Sequence, residues 1–179
     1  MKSDLDAIMQ SRNLDAFVVF GNAENNPPMY YLTGGGHVSH ATVIKKRGED
    51  AVYFYNDMER DEAAKSGLKL TPYSKYDYNE LLQKANGDLL LTSALRYQQM
   101  FEDVGVTKGR VGVYGHYDVG AVFGWLNHLQ KLMPAIEFVG EARDDSIFLR
   151  AMETKDENEV ARIRKMGKVT TAVVERVKE

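Results

Sequence analysis

The residues best equipped for chemistry sit together in Met29 to His40, MYYLTGGGHVSH, where three consecutive glycines precede His37 and His40. Three kinds of site would use such a pattern. A glycine-rich turn beside histidine suits an oxyanion-hole loop, but the chain has no G-x-S-x-G nucleophile elbow to serve it. His37 and His40 could share a metal ion, yet two imidazoles without a neighbouring carboxylate fall short of a zinc set. A phosphate-binding loop wants Lys and Ser or Thr after its last glycine, where this chain has His37. Against all three stands a plainer possibility, a flexible connection between strands, because consecutive glycines give the backbone a freedom that no element interior needs.

The remaining candidates are weaker. His116 follows the strand Arg110–Tyr114 after Gly115, at a strand end where α/β sites tend to lie, but it has no convergent partner in the sequence. His128 falls on a helix, at its surface or boundary. Tyr73, Tyr76 and Tyr78 crowd a polar loop, which suits a packed surface better than a base-stacking platform. With no cysteine in the chain, thiol nucleophiles, disulfides and Cys-type zinc sites are excluded.

The elements that must position these residues alternate. Ser3 can cap a first helix running to Arg12, with Leu5, Ile8 and Met9 on one face. Ala16–Phe20 is continuously apolar, as a strand buried on both faces would be. Ala23 to Pro28 reads as loop, since Asn-Pro and Pro-Pro resist helix continuation. Ala41–Lys45 and Ala51–Tyr55 flank the turn Lys46–Asp50, a hairpin. A helix over Met58–Ser66 closes at Gly67, and Leu68–Pro72 is a short strand. Helices follow over Tyr78–Ala85 and Asp88–Asp103, the second with Leu89, Leu90, Ala94, Tyr97 and Phe101 at helical spacing. Arg110–Tyr114 is a strand. Asp118–Met133 is a helix with Val119, Val122, Phe123, Leu126, Leu129 and Leu132 on its apolar positions. Ile136–Val139 is a strand, and Asp144 caps a helix to Ala151. This order predicts an α/β domain with a mixed sheet.

Composition narrows the rest. A chain of 179 residues, 44% hydrophobic, can bury one sizeable core. A formal charge of −3 gives no basis for nucleic-acid or membrane-surface binding. No apolar run nears the roughly 20 residues of a membrane span, and the acid-bearing N-terminus does not read as a signal sequence. The expectation is a soluble, cytoplasmic protein.

The last stretch, Asp156 to Glu179, places acids at a helix start and then Val160, Ile163, Gly167, Thr170, Val174 and Val177 at alternating steps of three and four. Met166, Val169 and Val173 widen that stripe. At 1.5 Å per residue the helix would be ~36 Å long. It has no glycine cap or closing proline, and is expected to project from the body and pair with another copy.

Two motifs carry a resemblance. Leu149-Arg150, Lys155, Glu159-Val160, Ile163-Arg164 and Lys165 resemble the junction of the Xaa-Pro dipeptidase, aminopeptidase P and creatinase family, although Arg150 stands further from Lys155 than usual there. Tyr31-Leu32-Thr33-Gly34 is similar to that family's Y-L-T-G motif, with Asp15-Ala16 and Asn25 or Asn26 fitting the same layout. The resemblance implies a mixed sheet with helices on both faces over residues 1–143, then linker helices over 144–179 leading into a catalytic domain outside this sequence. There the family holds two divalent metal ions (manganese, cobalt or zinc) on aspartates, a histidine and glutamates, and a bridging water attacks the bond before proline. It implies no catalytic or metal residue and no cofactor within this chain. It also implies a homodimer, in which the segment after Y-L-T-G lines the partner subunit's substrate site: Gly35, Gly36, His37, Val38, Ser39 and His40. Creatinase-like hydrolases and non-catalytic relatives share such a domain. A freestanding α/β ligand-binding or dimerisation module is the other possibility.

Overall fold

A computed structural model of the protein describes residues 1–177. Among them, six strands form one sheet: β1 (Ala16–Phe20), β2 (Thr42–Lys46), β3 (Val52–Tyr55), β4 (Lys69–Pro72), β5 (Gly109–Gly115) and β6 (Ile136–Gly140), in the order β4-β3-β2-β1-β5-β6. β2 runs antiparallel to β1 and to β3, and every other neighbouring pair is parallel. β2, the first strand of the hairpin predicted around Lys46–Asp50, is therefore the strand that runs against the other five and makes the sheet mixed. Its register sets Thr42 opposite Phe54 and Ile44 opposite Val52.

β1 is buried along its whole length, and strand pleating divides its side chains between two cores. Ala16, Val18 and Phe20 join Tyr97, Met100 and Phe101 of α5 (Leu89–Asp103) and Trp125 and Leu129 of α6 (Val119–Leu132). Phe17 and Val19 join Met9 of α1 (Leu5–Ser11), Met29 and Leu32 of α2 (Pro27–Thr33) and Phe148 of α7 (Ile147–Glu153). Edge-to-face contacts fix both sides, Phe20 to Trp125 at 4.8 Å and Phe17 to Phe148 at 5.1 Å between ring centroids. The short α3 (Arg60–Ala64) and α4 (Tyr78–Lys84) complete the two faces.

Side-chain caps set several helix starts. Asp77 accepts from Asn79 and Glu80 amides, Asp88 from Leu90 and Leu91, and Asp118 from Ala121, each supplying an acceptor to an otherwise unpaired first-turn N–H. Three expectations on boundaries change. Ser3 does not cap the first helix: a 3-10 turn over Lys2–Asp4 intervenes and α1 begins at Leu5. Asp144 is not the cap of α7 either, since Ser146 accepts from the Leu149 amide at 3.2 Å. The span Met58–Ser66 divides into a 3-10 turn, Asp57–Glu59, and α3.

Burial also departs from the periodicity at four positions. Leu89, Leu90, Val119 and Phe123 are exposed, whereas Thr92, Met100 and Trp125 are buried.

The last helix, α8 (Glu157–Val177), opens with a reciprocal cap in which Asp156 Oδ1 accepts from the Glu159 amide and Glu159 Oε2 from the Asp156 amide. It buries none of its residues, and Ile163, Met166, Val169, Val173, Val174 and Val177 are all about half exposed or more. The chain exposes 10780 Å² in total, roughly 2,000 Å² more than a compact monomer of this mass. α8 thus stands off the body as its pattern predicts. Residues 178 and 179, the end of the predicted helix, lie outside the described residues.

Buried phenols make the fold sensitive to alkali. Burial raises Tyr31 and Tyr53 to about 12 and also raises Tyr73, Tyr76, Tyr97 and Tyr114. The folded chain holds its protons where the unfolded chain, with phenols near 10, releases them. Stability from these groups is complete below about pH 10 and is lost as pH rises towards 12 and beyond. The urea midpoint should stay flat from about pH 8 to 10 and fall steeply above, less steeply in Tyr53→Phe.

Candidate functional site

The segment Gly35–His40 leaves the C-terminal end of α2. Pro27 and Pro28, expected in a loop, instead occupy the first helical positions, where a missing N–H costs nothing and the fixed φ suits a helix start. Y-L-T-G is the end of that helix. Tyr31, Leu32 and Thr33 are buried, and Gly34, at φ 78°, returns its amide to the Tyr30 carbonyl at 2.8 Å. Tyr31 Oη donates to the Ala151 carbonyl at 3.1 Å, tying the motif to α7. Its phenol is raised to about 12 by burial and by the carboxylates of Glu159, Asp4 and Asp156.

Beyond Gly34 the loop is fastened rather than free. Gly35 and Gly36 take φ of 92° and 123°, and a Cβ at Gly35 would meet the Tyr30 ring at 3.0 Å. Val38 is 2% exposed and seated in the α1–α2–α7 core. Glu59 Oε1 accepts from both the amide and the hydroxyl of Ser39, at 2.9 and 2.7 Å. Glu62, whose carboxyl is held below the usual range mainly by Lys65, lies near the His37 backbone. His37 and His40 remain exposed, with the His40 ring edge-on to Tyr117 at 6.4 Å. The structure brings the two imidazoles onto one anchored loop. The described residues contain no group of three or more His, Asp or Glu placed to hold a metal ion, so a two-metal ligand set does not fit them.

Nothing local in the sequence marks Glu59 or Glu62 as partners of this loop. Both lie in the turn and helix after β3, about twenty residues on.

A second feature lies where β1 and β5 end side by side. The connection from β1 leads towards β2 and that from β5 towards β6, the arrangement that opens a crevice at strand ends in α/β sheets. A cleft of about 660 Å³ lies there, lined by Asn26, Tyr114, His116, Glu141, Arg143 and Phe148 among others. Tyr114 Oη and the Ile147 amide both donate to Glu141 Oε2, at 2.6 and 2.9 Å. Burial, and then the bond to Glu141, pushes the Tyr114 phenol up. His116 thus shares a cleft with residues remote from it in sequence, Glu141 and Asn26.

The fold and loop define an α/β domain that presents a fastened, histidine-bearing segment at one end of its sheet. Residues 2–142 match the Creatinase/Prolidase N-terminal domain, and the chain belongs to that family. Among solved structures it is similar to a dipeptidase from Pyrococcus horikoshii OT3, at 15% identity and TM-score 0.62, over 98% of this chain and 42% of that one. It is similar to a prolidase from Pyrococcus furiosus, at 16% identity and TM-score 0.57, over 100% and 46%. An X-Pro aminopeptidase from Thermotoga maritima MSB8 follows, at 12% identity and TM-score 0.55, over 90% and 38%. At these identities the likeness is one of fold. The chain spans less than half the length of each of the three proteins. No curated protein matches it in sequence.

The strand-end crevice depends on two glycines. A Cβ at Gly115, φ 120°, would stand 2.2 Å from the Phe20 carbonyl oxygen, and one at Gly21 would stand 2.2 Å from that of His116. Gly115→Ala should therefore cost about 3 kcal/mol of stability by denaturant titration, combining left-handed strain with a forced backbone shift. Gly48→Ala, where φ is 80° and no atom lies within 4 Å, should cost only about 1 kcal/mol.

Proposed function

We propose that this chain is the non-catalytic N-terminal domain of a longer Xaa-Pro metallopeptidase of the dipeptidase or aminopeptidase P kind. In this reading residues 1–143 are the α/β body and 144–179 the linker helices that enter a C-terminal catalytic domain. That domain binds two divalent metal ions, manganese, cobalt or zinc, and performs the hydrolysis in the cytoplasm. The parent is a homodimer, and Gly35, Gly36, His37, Val38, Ser39 and His40 form the rim of the partner subunit's substrate site.

The observation that carries this reading is one of span. The family match ends at residue 142, while structures sharing the fold across 98% and 100% of this chain are more than twice its length and are a dipeptidase and a prolidase. The loop's construction supports the rim role. Its course is held by Glu59 on Ser39 and by buried Val38 while both histidines are exposed, as a surface that meets another subunit's ligand requires.

In the full-length protein, His37→Ala and His40→Ala should each raise KM for an Xaa-Pro dipeptide about three- to tenfold, the worth of one lost hydrogen bond. Stability should shift by less than about 0.5 kcal/mol. The 179-residue chain alone should release no proline from the same dipeptide with manganese or cobalt added. Unchanged kinetics in both variants would reduce the loop to a connector.

The exposed stripe of α8 extends the proposal. In the longer protein the catalytic domain covers it, and in the isolated chain a second copy does so through its own α8. Its three-four spacing suits such a seam. Sedimentation should show the 179-residue chain as a dimer and a version ending at Lys155 as a monomer. Two monomers, with α8 fully protected in hydrogen exchange, would end the idea of self-association.

A further inference from the structure

Away from the histidine loop's own contacts, the ends of β3 and β4 border an open cleft of about 400 Å³. Its lining includes Asn56, Asp57, Tyr73, Tyr76, Asp77 and Arg96. The polar groups here are unevenly matched. Arg96, on α5, lies with its guanidinium carbon 4.8 Å from the centroid of the Tyr73 ring. Its Nε is buried and has no hydrogen-bond partner, and no ion pair to it occurs among the described residues. A half-buried guanidinium packed on a ring face, with no ion pair among the described residues, lacks the oxyanion that its planar donor fork fits.

The opposite charges in the cleft are committed only to light duties. Asp57 accepts from the Ser74 hydroxyl at 2.6 Å and amide at 3.3 Å, which holds its carboxyl below the usual range. Asp77 uses Oδ1 to cap α4, accepting from Asn79 and Glu80 amides at 2.9 and 3.1 Å. A carboxylate offers about four acceptor positions, so both retain capacity for a donor. The tyrosines supply a fixed apolar wall, because their hydroxyls are tied elsewhere. Tyr73 Oη donates to Thr42 Oγ1 at 2.9 Å and Tyr76 Oη to Asp103 Oδ2 at 2.7 Å.

Charge decides what such a cleft accepts. A phosphate would gain Arg96 but bring up to two negative charges against Asp57 and Asp77. A simple amine would gain the carboxylates and leave Arg96 unmatched. A molecule bearing one charge of each sign satisfies all three groups, and the volume lies within the range of small-ligand sites. We propose that this cleft binds a small zwitterion, an α-amino acid or a short peptide, with its carboxylate on Arg96, its ammonium group on Asp57 and Asp77, and its side chain against Tyr73 and Tyr76. The site belongs to this chain alone and does not rest on the rim reading of Gly35–His40.

The test is an NMR titration of the ¹⁵N-labelled chain with L-alanine and with the dipeptide Ala-Ala, using acetate, ethylamine and inorganic phosphate as controls. Saturable shifts of the Ser74 and Tyr78 amides are expected with at least one zwitterion, and binding at least about tenfold weaker with every control. Tighter binding of Ala-Ala than of alanine assigns a peptide site, and the reverse order an amino-acid site. Arg96→Gln should weaken binding at least about tenfold while leaving the spectrum folded. Asp57→Asn and Asp77→Asn should weaken it too, since asparagine still caps a helix. Should Arg96→Gln unfold the chain, Arg96→Lys and the two Asp variants decide. The proposal is overturned if neither zwitterion shifts those amides, if acetate or phosphate binds as tightly, or if binding survives the Arg96 and Asp substitutions. The kinetic test of His37 and His40 is unaffected by any of these results.

Discussion

The carbonyl oxygen of Phe20 is a shared acceptor on which two segments converge. Asn26 Nδ2 donates to it at 2.7 Å from the start of α2, and the His116 amide at 3.2 Å from the end of β5. One residue on, the Gly21 amide donates to the Ala41 carbonyl at 3.0 Å, which brings in the approach to β2. Two glycines without Cβ atoms permit this crossing. The geometry places α2, and with it the histidine loop, relative to the parallel strands. It also opens the strand-end crevice, because the chain leaves β1 and β5 in opposite directions. Asn26 is buried there, with Oδ1 unpaired, so its amide is committed to holding the crossing rather than to satisfying itself.

Much of this architecture is legible in the residues. The apolar run Ala16–Phe20 announces a strand covered on both faces, and Asp77, Asp88 and Asp118 sit where helix starts need acceptors. The failures have local causes. Asn26-Pro27-Pro28 signals a break, but the same prolines that forbid continuing a helix favour beginning one. Asp144 and Ser146 are both competent caps two residues apart, and only the path of the preceding 3-10 turn over Arg143–Asp145 selects Ser146. Leu89 and Phe123 obey helical spacing yet face water, because periodicity gives the direction of a side chain and not the extent of the surface it would meet.

The candidate sites were legible to different degrees for a similar reason. A run of three glycines before two histidines is a local signal, visible without any tertiary knowledge. The partners of that run, Glu59 and Glu62, are ordinary surface acids until the chain folds them against it. Arg96 is the extreme case. What distinguishes it from the other cations among the described residues is a buried Nε without a partner, and an absence of that kind exists only once every neighbour is placed.

The manner in which the histidine loop is held separates its path from its composition. Glu59 takes the Ser39 amide, and Val38 is the side chain that enters the core. Main-chain donors are common to nearly every residue type, so positions 37 and 40 can be rewritten while the loop keeps its course. A scaffold built this way works like a socket with interchangeable fittings. Over evolutionary time one backbone trace can present imidazole, carboxylate, aromatic or aliphatic groups at the same point in space, and selectivity can drift there without first being purchased in folding energy.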